Sequence, residues 1–267
     1  MIIAYASDLH LEFGSDTIIE KLQQLDADVL ILAGDIADTP TWKAVDNINS
    51  EKGATLRLIL EIASQSFTAT FIVMGNHEHY KGTFQKTSKY IRNVLPDNVY
   101  LLDNSTKEVG GVVFAGTTMW TEMAAHNPVI RNQIHMGMND FRHIRYMKGG
   151  NYAKFTPALA HQEYVKAKNF IMNLPKDKPV VMITHHSPTN YSIPVQYQTS
   201  KMNDAYYSKD MESTLEDGVF KPVLWVQGHT HNKIQTKFAN IPILCNPRGY
   251  QGYESIADTF EFESEEI

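Results

Sequence analysis

Apolar positions in this chain fall in short runs that stop abruptly at polar, chemistry-bearing side chains. Residues 69–74 are mostly β-branched or aromatic and carry no charge, as a buried strand requires. The run ends at Gly75, which lets the backbone turn out of a sheet and present Asn76, His77 and Glu78. The same pattern predicts strands at Ile2–Ala6 and at residues 28–33, 180–183 and 223–227. Each runs into Asp or His, as Ser7-Asp8-Leu9-His10, Gly34-Asp35, Thr184-His185-His186 and Gly228-His229-Thr230-His231. Five predicted strands therefore deliver Asp, Asn or His at one edge, and the carboxyl ends of strands are where open α/β sheets bind ligands.

Helical spacing fills the gaps. Residues 17–25 repeat Ile18, Leu22 and Leu25, with Ser15 or Asp16 as N-cap, and residues 54–64 carry Leu56, Ile59, Leu60 and Ala63 on one stripe. Strand, helix, strand, helix, strand predicts a parallel sheet with right-handed crossovers. Residues 38–52 read as a polar turn around Pro40. Further helices are predicted at 83–95, stopped by Pro96, and from Thr156-Pro157 to about Leu174. Short strands follow at 99–102, Val112–Thr117, Ile234–Phe238, Ile241–Cys245 and 256–262. Residues 119–155 and 187–208 show neither period and read as irregular excursions, the first expected to lie over the active edge as a lid or recognition segment.

Composition adds bounds. The 267 residues, 43% hydrophobic and 20% charged, fit one core, so 1–267 is expected to form a single domain, with only the acidic tail 261–266 left to disorder by default. A net charge of −6 and a pI near 6.0 argue against broad nucleic-acid binding. The lone Cys245 allows no intrachain disulfide. The chain opens directly on a strand without leader features, and no apolar run approaches the roughly 18 residues that cross a bilayer, so a cytoplasmic protein without membrane association is expected.

Asp8, His10, Asp35, Asn76, His185, His229 and His231 are oxygen and nitrogen donors of borderline hardness with no thiolate among them. Taken alone, an Asp after a strand is more often a cap or turn residue than a ligand. As a set, these donors suit two divalent or mixed-valence transition-metal ions, with Mn, Fe, Zn and Ni all compatible. A carboxylate such as Asp35 can bridge two metals, an imidazole only one, and Asn76 offers a carbonyl oxygen without cancelling charge. The surplus positive charge can hold hydroxide and a phosphate group.

In order along the chain, Asp8-Leu9-His10, Gly34-Asp35, Gly75-Asn76-His77-Glu78, His185 and Gly228-His229-Thr230-His231 resemble the motif blocks of the calcineurin-like metallophosphoesterases. The resemblance spans positions 8 to 231. It implies a four-layer α/β/β/α sandwich with a dinuclear site at the carboxyl ends of the strands. One metal would take Asp8, His10, Asp35 and His231, the other Asp35, Asn76, His185 and His229. A hydroxide bridging them would attack phosphorus in a mono- or diester of a small phosphorylated substrate. By the same resemblance His77 is the catalytic histidine that assists the leaving group, and Asp38 the carboxylate that orients it. Thr39-Pro40 follows Asp38 where Ser/Thr phosphoprotein phosphatases continue with a phosphate-gripping arginine, which counts against that branch.

Arg142 and Arg248 are candidate substrate contacts, weighed against a solvated face for Arg142, His143, Arg145 and Lys148 and an exposed loop for Arg248. Asn139-Asp140 either helps receive an anion or pins the first excursion to the core. Glu78 reads as a hydrogen-bonding residue rather than a ligand, His79 and His186 as second-layer or surface residues, and Cys245 as a small buried side chain. The competing readings are a catalytically silent scaffold of the same fold, which would usually lack ligands or the motif histidine, and an amidohydrolase, which these blocks fit poorly.

Overall fold

Alternate side chains along the central strands enter different cores, and this fixes the order of layers. The computed structural model describes residues 1–15 and 17–267. In chain order the elements are β1 (Ile2–Ala6), α1 (Ile18–Gln23), β2 (Val29–Leu32), α2 (Thr39–Ala44), α3 (Glu51–Ser66), β3 (Ala69–Ile72), α4 (Phe84–Arg92) and β4 (Val99–Leu101). These are followed by β5 (Ser105–Val109), β6 (Val112–Thr117), α5 (Pro128–Gly137), α6 (Asp140–His143), β7 (Arg145–Lys148), β8 (Asn151–Lys154) and α7 (Pro157–Met172). The remainder are β9 (Val180–Thr184), α8 (Lys209–Glu216), β10 (Leu224–Gln227), β11 (Ile234–Phe238), β12 (Ile241–Cys245) and β13 (Glu263–Glu266).

One sheet runs β13-β1-β2-β3-β4 and the other β11-β12-β10-β9-β6-β5. The inner strands of both are parallel, while β13, β11 and β5 pair antiparallel at the edges. In β2, Val29 and Ile31 enter the layer between the sheets, whereas Leu30 and Leu32 pack under α1 and α3 with Ile18, Leu22, Ile59 and Ala63. In β9, Val181 and Ile183 enter the same inter-sheet layer, whereas Val180 and Met182 pack with Ala160, Tyr164 and Ala167 of α7. Phe71 of β3 stacks on Phe114 of β6 across that layer, ring centroids 4.3 Å apart. The result is the expected α/β/β/α arrangement, with strands buried on both faces and the near-continuous apolar sequence this demands.

Several local expectations need correction. Residues 38–52 are not simply a turn: Asp38 accepts from Thr41 N at 3.1 Å and caps α2, with Pro40 harmless in the first turn, and α3 already starts at Glu51. Ser15 pairs its hydroxyl with that of Thr55, the cap position of α1 falls to Thr17, and Asp16 lies outside the described residues. Residues 119–155 hold α5, capped by Asn127, then α6 and the β7-β8 hairpin, and residues 187–208 contain 3-10 turns. The acidic tail is ordered as β13: Phe260 buries in the core, and residues 263–266 then pair along β1 as a charged edge strand. Residues 255–259 form a 3-10 turn in place of the strand expected at 256–262.

Asp38 is buried, and besides its cap bonds it pairs with Lys81 at 2.8 Å. Replacing it by Ala should lower stability to urea by about 1–2 kcal/mol. Asp38→Asn, which keeps a cap acceptor, should lose less; equal stability of the Ala variant and the parent would remove the capping role.

Candidate metal centre

Where the parallel strands of both sheets end, the backbone turns sharply. Asp8 (φ 52), His10 (φ 45), Asp35 (φ 54), His229 (φ 72) and His231 (φ 45) all sit in the left-handed region. Such conformations are uncommon outside glycine and cost on the order of 1–3 kcal/mol each, so their concentration here marks a place where geometry outranks local comfort. Two glycines make room. A Cβ on Gly75 would overlap Asp35 Oδ1 and come within 2.7 Å of His185 Nε2, and one on Gly228 would lie 2.7 Å from Asp8 Oδ2.

The motif blocks orient one another through their backbones. His229 N donates to Asp8 at 3.0 Å, His77 N to Asp35 Oδ1 at 2.7 Å, and His185 Nδ1 lies 2.9 Å from Ala33 O. The buried Glu78 carboxylate accepts from Gly75 N, Asp35 N, Ile36 N and Ala37 N, tying the second block to the third.

Three groups of donors result, one of His10, Glu12 and His77 and two built from the motif residues. Of these two, Asp8, His10 and His231 form one and Asp35, His185 and His229 the other, with donor atoms in each group within 4.8 Å of one another. His10 Nε2 and His231 Nε2 lie 3.0 Å apart, with Asp8 Oδ1 3.4 Å from His231 Nε2. In the second group His185 Nε2 lies 3.0 Å from Asn76 Oδ1 and 3.4 Å from Asp35 Oδ2. Asn76 Nδ2 donates to Asp140 at 2.8 Å, which points its carbonyl oxygen at this cluster. With His185 Nδ1 donating to Ala33 O, its Nε2 is left facing Asn76 Oδ1 and Asp35 Oδ2. Asp35 joins the groups, since Oδ2 also lies 3.8 Å from His10 Nε2.

Charge follows geometry. Burial opposes a charged His185, yet Asp35 and Asp8 pull its pKa up to about 9. Burial opposes a charged His231 too, but Asp8 and Glu254 raise it to about 10. Burial disfavours ionised Asp35, and the surrounding imidazoles, His185 first, still hold it well below the usual carboxylate range. His229 goes the other way: burial and its neighbours His186 and His185 keep it neutral, and its Nε2 is buried without a hydrogen-bond partner among the described residues. A cluster that draws positive charge in while offering an unused imidazole lone pair fits metal ions. The outer layer fits at His231, whose Nδ1 lies 2.6 Å from Glu254, while His10 Nδ1, 3.5 Å from Glu12, has no hydrogen-bond partner among the described residues.

His77 lies against this cluster, but its carboxylate partner is Glu12, not Asp38. His77 Nδ1 is 2.7 Å from Glu12 Oε1, while Asp38 faces Thr41, Lys81 and Lys52. Burial disfavours a charged His77, but Asp35 and Glu12 together raise its pKa. Its ring stacks on Tyr80 at 4.1 Å, and its Nε2 lies 3.3 Å from the Tyr250 hydroxyl. Arg248 is no loop arginine facing an anion: it is 2% exposed and donates to Leu9 O and Gly14 O. Arg142 is exposed and donates to Met136 O, Arg145 and Lys148 are exposed, and Asp140 pins α6 to Asn76 and Tyr80. Sequence reasoning missed Glu12, Glu254, Tyr80, Tyr206 and Tyr250. Only Glu12 left a signal, standing two residues after His10 just as His10 stands two after Asp8. His79 and His186 are buried among aromatic rings, both lowered to about 3 chiefly by burial.

A cleft of about 290 Å³ opens over the centre between Asn76, His77, residues 137–140, Tyr206, His231 and Tyr250. Among the described residues no helix is long and apolar enough to cross a membrane. The chain is 25% identical to uncharacterized protein L509 of Acanthamoeba polyphaga mimivirus, over 93% of this chain and 91% of that one. In fold it is similar to a phosphopantetheinyl hydrolase from Mycobacterium tuberculosis (TM-score 0.66, 15% identity, 93% of this chain and 89% of that one). It is also similar in fold to a dimetal phosphatase from Danio rerio (TM-score 0.54, 13% identity, 99% of this chain and 91% of that one). The model of the calcineurin-like phosphoesterases matches residues 1–233, which takes in every strand that ends at the centre, and the chain belongs to that family.

Proposed function

We propose that this protein hydrolyses a phosphate mono- or diester of a small phosphorylated substrate at a dinuclear metal centre. Asp8, His10, Asp35 and His231 would hold one ion, and Asp35, Asn76, His185 and His229 the other. The observation that carries the reading is the convergence of His185 Nε2, Asn76 Oδ1 and Asp35 Oδ2 beside His229 Nε2, which is buried without a hydrogen-bond partner among the described residues, a set that would close on a metal ion in place of the His185 proton. Ions held there supply Lewis acidity toward the phosphate and an activated water as nucleophile.

The chain's own groups do the rest. Ala33 O and Glu254 fix His185 and His231 by their Nδ1 atoms, so that Nε2 of each faces inward. Asp140 keeps the Asn76 amide from flipping, because its Nδ2 is occupied. Glu12 accepts a hydrogen bond from His77 Nδ1 and favours the charged ring, which leaves an Nε2 proton at the cleft to pass to the departing oxygen. The Tyr80 face fixes the plane of that ring.

The direct test is hydrolysis of para-nitrophenyl phosphate and of bis-para-nitrophenyl phosphate by chelator-treated protein as single metals are restored. Metal-dependent turnover of at least one ester is expected, and none with Mn, Fe, Zn or Ni would refute the proposal. Asp35→Asn should lose metal from both groups together with activity. His77→Ala should retain its metal while turnover falls about 10²-fold or more. Glu12→Gln should share that defect in part, and full activity in either variant would remove the proton-donor role.

A further inference from the structure

Beside the metal centre lies a second space of about 240 Å³, lined chiefly by Ile193, Pro194, Tyr197, Met202, Tyr206 and Thr230. None of its lining residues is ionisable at neutral pH, in contrast to the cleft, where Asp35, His77, Asp140, His229, His231 and Glu254 take part. The two spaces adjoin, because Tyr206 and Thr230 line both. Tyr206 borders both, and its ring stacks on His229, with centroids 5.0 Å apart.

The pocket is a built feature of residues 187–208. Ser187 N donates to Tyr206 O at 3.2 Å and Ser208 N to Ser187 O at 3.0 Å, which staples the two ends of the loop together. Inside it Asn203 Nδ2 donates to Tyr197 O and Gln198 O, and Ser200 Oγ accepts from Met202 N. The polar groups of the loop are thus largely spent on its own backbone, and the surface they leave toward the pocket is apolar.

Ligand pockets usually measure roughly 300–1,000 Å³. Neither the cleft of about 290 Å³ nor the pocket of about 240 Å³ reaches that range alone, but the two together would. A phosphate belongs with the charged cleft. A second charged group in the pocket would lose water without gaining a partner, whereas an apolar group gains by leaving water.

We propose that this pocket receives the uncharged, largely apolar organic arm of the phosphoester and so determines its substrate class. The assignment rests on the phosphoesterase reading above. It disfavours polyphosphates and phosphoprotein segments flanked by charge, and favours esters whose alcohol side is a short aliphatic or aromatic group.

Calorimetric titration of the manganese-loaded full chain with methylphosphonate and with 2-phenylethylphosphonate tests this without requiring turnover. The phenylethyl compound should bind about tenfold more tightly or better, since a pocket contact of about 1.4 kcal/mol gives that ratio. Tyr197→Glu, at a residue 58% exposed whose replacement leaves the core intact, and Met202→Glu each put a carboxylate at the pocket and should bring the ratio close to one. Equal affinities in the parent, or an undiminished ratio in both variants, would overturn the pocket assignment alone. Failure of both phosphonates to bind would overturn the phosphoesterase reading and the pocket with it.

Discussion

Buried carboxylates and imidazoles crowded at one point are the constraint around which this molecule is arranged. Asp35 stands at that point, with one oxygen accepting from His77 N and the other facing His185 and His10. Carboxylates so buried need positive charge beside them, which the protonated His185 and His231 supply here and metal ions would supply in their place, and a protein holds such an arrangement only by spending stability elsewhere. Here the cost is visible in left-handed backbone at Asp8, His10, Asp35, His229 and His231. What offsets it is the inter-sheet layer of Ile31, Phe71, Phe114, Ile183 and Val226, which locks the strand ends in register just beneath.

The blocks are not five independent suppliers of ligands. Asp8 is oriented by the amide of His229, more than two hundred residues away, and Asp35 by the amide of His77. Glu78 closes the network by taking four backbone donors at once. Burial and Asp35 push its pKa up to about 7, with His185 and those donors acting in the opposite sense. The centre and the sheets therefore specify each other.

Strands and their terminal chemistry were legible because buried parallel strands need continuous apolar sequence and because Gly34, Gly75 and Gly228 mark where they end. The partner of His77 was not. Asp38 had the right chemistry and a plausible spacing, yet a capping bond and Lys81 engage it, and the nearby Glu12 reaches the ring instead. Arg248 misled for a related reason: a turn-like composition around it says nothing of whether carbonyls such as Leu9 O wait to receive the guanidinium. Helix α5 was hidden because its stripe is thin, only Ile134 being buried, and β13 because a charged edge strand has the composition of a disordered tail. The partner of His77, the carbonyls that receive Arg248 and the strand that pairs with β13 are each distant in sequence, where local pattern carries no information, whereas α5 is a weak local signal.

The central claim is that two cations sit among these side chains. Anomalous scattering from crystals of the manganese-loaded protein tests it most directly. Two peaks are predicted, one within Asp8, His10 and His231 and one within Asn76, His185 and His229, with Asp35 between them. A single peak, or metal bound instead among His10, Glu12 and His77, the third group of donors close enough to hold an ion, would contradict the account.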